Sequence, residues 1–204
     1  MKSKKKIIVL ISCVIIILIA VAGIIIKQSE PTLELQIQNK KIEATSKDEI
    51  IVSAVLRNMP DNEYPAASAI ITFDNNKLEF VGTALGTMQS YNDYDPNRDK
   101  TPAYKIPEWL CNPALSNQNG QINLMYLDTT AGKNAYTKGG YEKKTRDIPF
   151  KLIFKLKSSV IPNEKLEIAI KEAVFATNEG GKSTLSTKEN YGKLAVKNLK
   201  VQVQ

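Results

Sequence analysis

The sequence contains no histidine, two cysteines and one tryptophan in 204 residues. Because no imidazole is present, Ser-His and Cys-His nucleophilic sites and histidine-ligated metal centres are excluded. Cys13 lies in an apolar segment, and Cys111 is the only other cysteine, so no disulfide can form within the remainder of the chain. We therefore expect that a hydrophobic core, and not covalent cross-links, stabilises the fold.

The net positive charge is also small once the first 30 residues are set aside. Positions 1 to 30 contain five lysines and one glutamate, which leaves 28 − 5 = 23 basic and 21 − 1 = 20 acidic residues, a net charge of only +3. This balance is too mild to indicate nucleic-acid binding. The basic loop around Lys143 and Lys144 is interpreted as a solvated surface.

The amino terminus has the pattern of a membrane anchor. Four lysines, Lys2 and Lys4 to Lys6, precede Ile7 to Ile26, a segment without any charged residue. As a helix this segment would be about 30 Å long, the thickness of a bilayer core. Because basic residues stay on the cytoplasmic side, the lysines predict an inside amino terminus.

The predicted organisation follows from this orientation. It comprises a cytoplasmic stub (1–6), a transmembrane signal-anchor (7–26), a tether (27–32) and an extracellular domain (33–204), which makes a single-pass protein of the cell membrane. Two alternatives stay open. Signal-peptidase cleavage near Ala20-Val21-Ala22 would release the domain, and lipidation at Cys13 would make it a lipoprotein.

The exported region has the pattern of an all-β domain. Polar breakers such as Asn117 to Gly120 separate the apolar runs, and long amphipathic helical periodicity is absent. The pattern predicts an antiparallel β-sandwich. The predicted strands are Leu33 to Ile37, Ile50 to Leu56, Ala67 to Phe73, Leu78 to Val81, Ile122 to Leu127, Phe150 to Leu156, Leu166 to Ile170 and Leu194 to Val203.

Two predicted strands carry apolar residues on both faces. Alternation places Ile122, Leu124 and Tyr126 on one face of their strand, and Ala69, Ile71 and Phe73 on one face of another. These sets are the larger and more continuous, so they are predicted to be core. Ile70, Met125 and Leu127 then face outward as an apolar group, which a loop or a partner would cover.

Four sequence blocks resemble, in order, the bacterial cohesin modules of cellulosomes. The blocks are AIITFDNNKLEFVG from Ala69, NGQINLMYLD from Asn119, FKLIFKLKSS from Phe150 and AVFATN from Ala173. The resemblance implies a nine-stranded sandwich of jelly-roll topology without enzymatic activity or a cofactor. It also implies a dockerin as partner, which is a small calcium-loaded helical module carried by another secreted protein.

The resemblance also implies where the partner binds. Met125 and Asp128 align with positions that commonly touch the dockerin, so Ile70, Met125 and Leu127 form the predicted apolar centre and Asp128 its polar rim. Ala66 and Ser68 align with positions that are commonly polar in cohesins recognised by type I dockerins, and this chain has largely lost those polar residues, so the type of dockerin stays open. Ser68 is included among the predicted partner-binding residues. Residues 139–149 form an insertion and Asn75 replaces a proline, so the chain is a divergent member.

Three other patterns suggest different chemistry. Glu108 and Asp128 are candidates for a glycosidase carboxylate pair, although isolated surface acids are the simpler interpretation. Asp93 to Asp99 offers alternate oxygen ligands for calcium, but Arg98 replaces the EF-hand glycine. No metal site is therefore assigned from the sequence.

Carbohydrate binding is the alternative function. Trp109 lies near Tyr91, Tyr94 and Tyr104 in the sequence, and an exposed aromatic strip would stack on a polysaccharide. The same aromatic residues also serve as sandwich core. An exposed strip would favour sugar binding, whereas a flat aliphatic sheet face would favour protein docking.

Overall fold

The computed structural model describes residues 30–38, 41–91, 104–130 and 134–204. The predicted span from Ile7 to Ile26 lies outside these residues, and so does the acidic segment from Asp93 to Asp99. Within the described ranges, no helix has both the length and the apolar character needed to cross a membrane. The first strand begins at Thr32, one residue before the predicted domain boundary.

The described residues form mainly short and medium strands. Nine of the fifteen strands have three or more residues. The strands are β1 (Thr32–Ile37), β2 (Ile50–Arg57), β3 (Glu63–Tyr64), β4 (Ala66–Phe73), β5 (Leu78–Leu85), β6 (Ser90–Tyr91), β7 (Tyr104–Lys105), β8 (Gln121–Leu127), β9 (Tyr136–Thr137), β10 (Phe150–Leu156), β11 (Lys165–Ala176), β12 (Leu185–Ser186), β13 (Gly192–Lys193), β14 (Ala195–Lys197) and β15 (Leu199–Gln202). One α-helix, α1 (Pro113–Asn119), and two 3-10 turns, Lys138–Gly140 and Gly181–Ser183, complete the described elements.

Two sheets enclose one hydrophobic core. The first sheet has the order β14-β1-β2-β10-β5, and the second has the order β13-β12-β11-β4-β8 with β15 also paired to β11. Phe73 of the second sheet packs against Phe154 of the first, with ring centroids 5.3 Å apart. The predicted β-sandwich is confirmed.

The sequence predicts a wholly antiparallel sandwich, but two of the strand pairs are parallel. β1 pairs with β14, and β12 pairs with β13, in parallel orientation. The β1 and β14 segments come from opposite ends of the domain, so no hairpin connection dictates their direction. The jelly-roll connectivity implied by the resemblance stays a prediction.

The last predicted strand, Leu194 to Val203, is two strands in different sheets. β14 lies beside β1 in the first sheet, whereas β15 pairs with β11 in the second. Between them, the Asn198 side-chain oxygen accepts a hydrogen bond at 3.0 Å from the Ile170 N–H, next to a register shift in β11. Alternation alone did not show this crossing because the apolar pattern continues through it.

The two long loops meet in a third, small sheet. Its order is β3-β9-β6-β7, and its strands have two residues each. β6 and β7 lie in the long connection from Gly86 to Pro107, and β9 lies in the long connection from Asp128 to Pro149. The loops are therefore partly structured by pairing with each other.

The helix α1 ends within Asn117 to Gly120, which the sequence pattern predicts to be a break between strands. Asn112 caps α1 by accepting the Leu115 N–H at 3.1 Å, and Pro113 occupies the first turn. Gly120 ends the helix in the left-handed conformation, with φ 63°. The helix is too short to show an amphipathic pattern in the sequence. Its two caps account for where it begins and ends.

Asn117 of α1 protects an open sheet edge. Among the described strands, β5 is the outermost of the first sheet, and none of them pairs with the other side of its backbone. The Asn117 amide accepts the Phe80 N–H at 2.7 Å and donates to the Phe80 carbonyl at 2.8 Å. One side chain therefore satisfies both backbone groups of a residue at the edge.

Replacing Asn117 by alanine should destabilise the domain by about 2 kcal/mol, because two backbone groups would lose their partners. Asn117→Asp should be intermediate, since a carboxylate can accept the Phe80 N–H but cannot donate to its carbonyl. Urea unfolding monitored by circular dichroism measures the effect. Asn119→Ala, an exposed position at the end of the same helix, is the matched control and should change little. Equal stability of all variants would refute the role of Asn117.

Candidate functional site

The predicted outward residues lie side by side on β4 and β8. These strands pair in a register that sets Ser68 opposite Met125, Ala66 opposite Leu127 and Ile70 opposite Asn123. The Met125 and Leu127 side chains are 53% and 58% exposed, Ser68 is exposed and Ile70 is half-buried. The orientation derived from alternation is therefore confirmed.

The inner face of the same strands is core, as predicted. Every residue assigned to it is buried. These residues are Ala69, Ile71, Phe73, Ile122, Leu124 and Tyr126. Since successive side chains point to opposite faces, burial of this set fixes the outward direction of Met125 and Leu127.

Strand β11 extends the apolar surface on the other side of β4. Its register sets Val174 opposite Ser68 and Ala176 opposite Ala66. Both side chains are half-buried. Alternation within single strands does not identify these two residues, because only a nonlocal strand pairing brings β11 next to β4.

Leu110 continues the surface beyond β8. Its N–H donates to the Met125 carbonyl at 2.8 Å, and it accepts the Met125 N–H at 3.1 Å. Residues that exchange both hydrogen bonds in an antiparallel pair have their side chains on the same face. Leu110, which is 64% exposed, therefore stands beside Met125. The sequence did not indicate this position, because the burial of Trp109, which turns Leu110 outward, is known only from the structure.

These side chains form a continuous surface that we name the apolar face. It comprises Ala66, Ser68, Ile70, Leu110, Met125, Leu127, Val174 and Ala176. None of the eight is charged. Glu172 of β11 lies opposite Ile70, at the border of the apolar face, and is paired with Lys188 at 2.9 Å. Glu167, farther along β11, is paired with Lys200 at 3.7 Å.

Asp128, the predicted polar rim, lies directly after β8 and is half-buried. Its carboxylate accepts the Thr130 N–H at 2.8 Å, the Thr130 hydroxyl at 2.5 Å and the Asn134 N–H at 3.4 Å. The side chain therefore shapes the loop after β8. This engagement was not visible in the sequence, and contact between Asp128 and a partner stays a prediction.

Glu108 and Asp128, the candidate carboxylate pair, line one cavity of about 280 Å³. Lys105, Thr129 and Asn134 also line it. The cavity borders the apolar face at Leu127. Both Asp128 oxygens already accept hydrogen bonds from the loop. A role in holding the loop therefore accounts for this carboxylate without a catalytic function.

Trp109 does not belong to an exposed aromatic strip, contrary to the carbohydrate interpretation. It is 5% exposed and packs against Phe150, with ring centroids 4.6 Å apart. Its indole N–H donates to the Tyr136 hydroxyl at 2.9 Å. Tyr94 lies outside the described residues, as do the side chains of Tyr91 and Tyr104.

A cluster of buried aromatic rings packs against the inner side of β8. Tyr126, between Met125 and Leu127, packs against Tyr136 with ring centroids 5.0 Å apart, and its hydroxyl donates to the Asn134 carbonyl. Tyr136 donates to the Pro149 carbonyl at 3.3 Å. The strand that presents the apolar face is thus held by packing and hydrogen bonds on its inner side.

Metal and thiol chemistry have no assembled site in the described ranges. No group of three or more acidic or cysteine side chains is arranged there to hold a metal ion. Cys111 is half-buried and its sulfur is not in a disulfide. Burial raises the pKa of the Cys111 thiol, while hydrogen bonds from Thr83 oppose this shift.

Raising the pH should weaken the fold through the buried tyrosines. Burial raises the pKa of Tyr136, and burial with the nearby charge of Asp128 raises the pKa of Tyr126. A group whose pKa is higher in the folded state contributes stability that is present below its unfolded pKa, about 10, and is lost as the pH rises above it. The free energy of unfolding should therefore fall progressively as the pH rises from about 10 to about 12.

Urea unfolding across this pH range, with tyrosinate absorbance, measures the effect. Tyr136→Phe should show a smaller loss at high pH, although it should be less stable at neutral pH by about 1–3 kcal/mol because the Trp109 N–H loses its acceptor. The exposed Tyr191 offers the control Tyr191→Phe, which should behave as the wild type. Normal ionisation of every tyrosine in the folded chain would contradict the prediction.

Comparison with known proteins shows the likeness at the level of structure. No protein-family model matches the chain, and no curated protein matches it. Among solved structures, the sixth cohesin of scaffoldin B from Acetivibrio cellulolyticus, solved in complex with a dockerin, has a TM-score of 0.57 at 18% identity. The match covers 86% of this chain and 100% of that chain.

Two cohesins from Clostridium thermocellum, each solved in a type I complex with a dockerin, are also similar. The OlpC cohesin has a TM-score of 0.57 at 13% identity and covers 86% of this chain and 94% of its own. The OlpA cohesin has a TM-score of 0.55 at 18% identity, with 85% and 99% covered. The chain therefore has the fold of cohesin modules, as the four sequence blocks implied.

Proposed function

We propose that this chain is a non-catalytic docking module that binds a dockerin-type helical module of another protein through the apolar face. The observation that carries the proposal is the exposure of Met125 and Leu127, in register with the small residues of β4. The cohesins of similar fold, whose structures contain bound dockerins, supply the class of partner.

Exposed apolar side chains on a sheet favour a partner energetically. Burial of a whole Met or Leu side chain is worth about 1.5–3 kcal/mol, and each of Met125 and Leu127 has about half of its surface left to bury. Leu110 adds a third large side chain next to them. Contiguous apolar surface of this kind is typical of protein interaction sites.

The absence of charge on the apolar face favours a particular kind of interface. Its centre should be apolar and only weakly sensitive to salt, because ion pairs are not available among its eight residues. Asn123, opposite Ile70, supplies an exposed polar group at its margin. An apolar centre with a polar margin is the usual anatomy of a protein–protein interface.

Carbohydrate binding has no comparable support. Its central residue, Trp109, lies in the core and uses its indole N–H inside the protein. A sugar-binding platform needs aromatic faces that are open to the ligand. The aliphatic sheet face therefore favours a protein partner over a polysaccharide.

The proposal includes attachment to the outside of the cell membrane. It rests on the lysines before Ile7 and on the uncharged segment from Ile7 to Ile26. In this arrangement the docking module would hold its partner at the cell surface. Association with a cellulosome follows only if that partner carries a dockerin.

Met125→Asp should weaken docking without unfolding the domain. A carboxylate at the apolar centre would be buried without a counter-ion, so affinity should fall about tenfold or more. Leu110→Asp should also weaken binding. Residues 31–204 serve as bait for the secreted proteins of the source organism, and captured dockerin modules are then titrated by calorimetry.

The matched control is Ile161→Asp, at a residue that is 63% exposed in the turn between β10 and β11. This variant should bind like the wild type. Urea midpoints of all three variants should stay close to that of the wild type, since surface substitutions change stability little. Full affinity of Met125→Asp, or capture of no helical module by the wild type, would refute the proposed function.

Protease added to intact cells should remove residues beyond the tether and leave the amino-terminal segment associated with membranes. The physical reason is the retention of Lys2 and Lys4 to Lys6 on the cytoplasmic side. Immunoblotting with tags at both ends measures the outcome. Protection of the carboxyl-terminal tag in intact cells but not in lysed cells would reverse the predicted orientation.

A further inference from the structure

The apolar face is not flat, because small side chains lie beside large ones. One row runs from Met125 of β8 to Ser68 of β4 and Val174 of β11. The next row runs from Leu127 to Ala66 and Ala176. Ser68 and Ala66 are small and lie between β8 and β11, so a groove follows this part of β4 beside the ridge of Met125 and Leu127.

The dimensions of this β4 groove fit one side chain. Adjacent strands lie about 4.8 Å apart, so the β8 ridge and Val174 are separated by about 10 Å. The groove encloses about 230 Å³ and is lined by Ala66, Ala67, Ser68, Met125, Tyr126, Leu127, Val174 and Ala176. Pockets for whole small molecules are usually larger, about 300–1,000 Å³.

The chemistry of the lining selects an apolar occupant. No charged side chain lines the groove, and the nearby acidic groups Glu167 and Glu172 are already paired with lysines. A cationic or anionic side chain would therefore lose its hydration without gaining a counter-ion. An aliphatic or aromatic side chain has no charge whose hydration is lost, and it gains free energy by burying apolar area.

The edge of β8 limits how the partner can approach. Leu110 already uses both the N–H and the carbonyl of Met125. An extended partner strand cannot add to the sheet at this point, because the hydrogen-bonding groups that it would need are occupied. This favours a partner that packs on the face, where a helix can direct one side chain into the groove.

We propose that the docked partner is anchored by a single aliphatic or aromatic side chain that projects from a helix and enters the β4 groove over Ala66 and Ser68. The inference rests on the proposed docking function and specifies the partner that it selects. Ala66 and Ser68 are then the specificity-determining residues, because larger side chains there would fill the space that the anchor needs.

Disulfide tethering tests the groove without any partner. In the full-length chain, reconstituted in nanodiscs, Cys13→Ser and Cys111→Ser remove the native thiols and Ser68→Cys places one thiol on the groove floor. Small disulfides that carry isobutyl, benzyl, carboxamide or trimethylammonium groups compete for this thiol under reducing conditions. Intact-mass spectrometry measures the fraction of each adduct.

The matched control is Thr72→Cys, which lies on the same outward side of β4 four residues away, about 13 Å along the strand. Isobutyl and benzyl adducts should exceed carboxamide and ammonium adducts about tenfold at position 68. At position 72 the four adducts should agree within about twofold. Ala66→Cys, the second position on the floor, should repeat the preference seen at position 68.

Three results would overturn the proposal. They are equal amounts of the four adducts at each of positions 66 and 68, the same apolar preference at position 72, and a preference for the ammonium group. The result is separable from that of the capture experiment. Loss of docking in Met125→Asp together with equal labelling would retain docking and remove the groove as its anchor site. Apolar preference without capture of a helical module would retain the groove and remove the proposed partner.

Discussion

Strand β4 pairs with β8 on one side and with β11 on the other, in the register that sets Ser68 opposite both Met125 and Val174. Because side chains alternate, a shift of β8 by one residue would bury Met125 and Leu127 and expose Ile122 and Leu124. The register therefore determines at once which residues form the core and which form the apolar face. Fold and proposed function depend on the same pairing.

The inner side of these strands explains why the register is stable. Tyr126 is held by Tyr136 and by the loop after β8, and Trp109 packs on Phe150 and donates to Tyr136. Burial of Trp109 turns Leu110 outward, just as burial of Tyr126 turns Met125 and Leu127 outward. The aromatic core thus positions the apolar face, while the residues that would touch a partner make little contribution to the core.

Sequence reasoning was accurate where one strand sufficed for the inference. It predicted the outward direction of Met125 and Leu127 and the inward direction of Ile71 and Ile122, because a period of two needs no knowledge of neighbours. It was wrong about a uniformly antiparallel pairing and about a single last strand. It also missed α1, whose seven residues are too few for a helical period to appear.

The sequence by itself determined that no disulfide and no histidine chemistry operate in the domain, and that alternating strands carry two apolar faces. The tertiary structure decided which strands are neighbours, and so it brought Val174 and Leu110 to the apolar face and placed Trp109 in the core. It also engaged Asp128 in its own loop. The physical reason is that side-chain direction follows from local backbone geometry, whereas strand pairing joins residues far apart in the chain through contacts that local pattern does not specify.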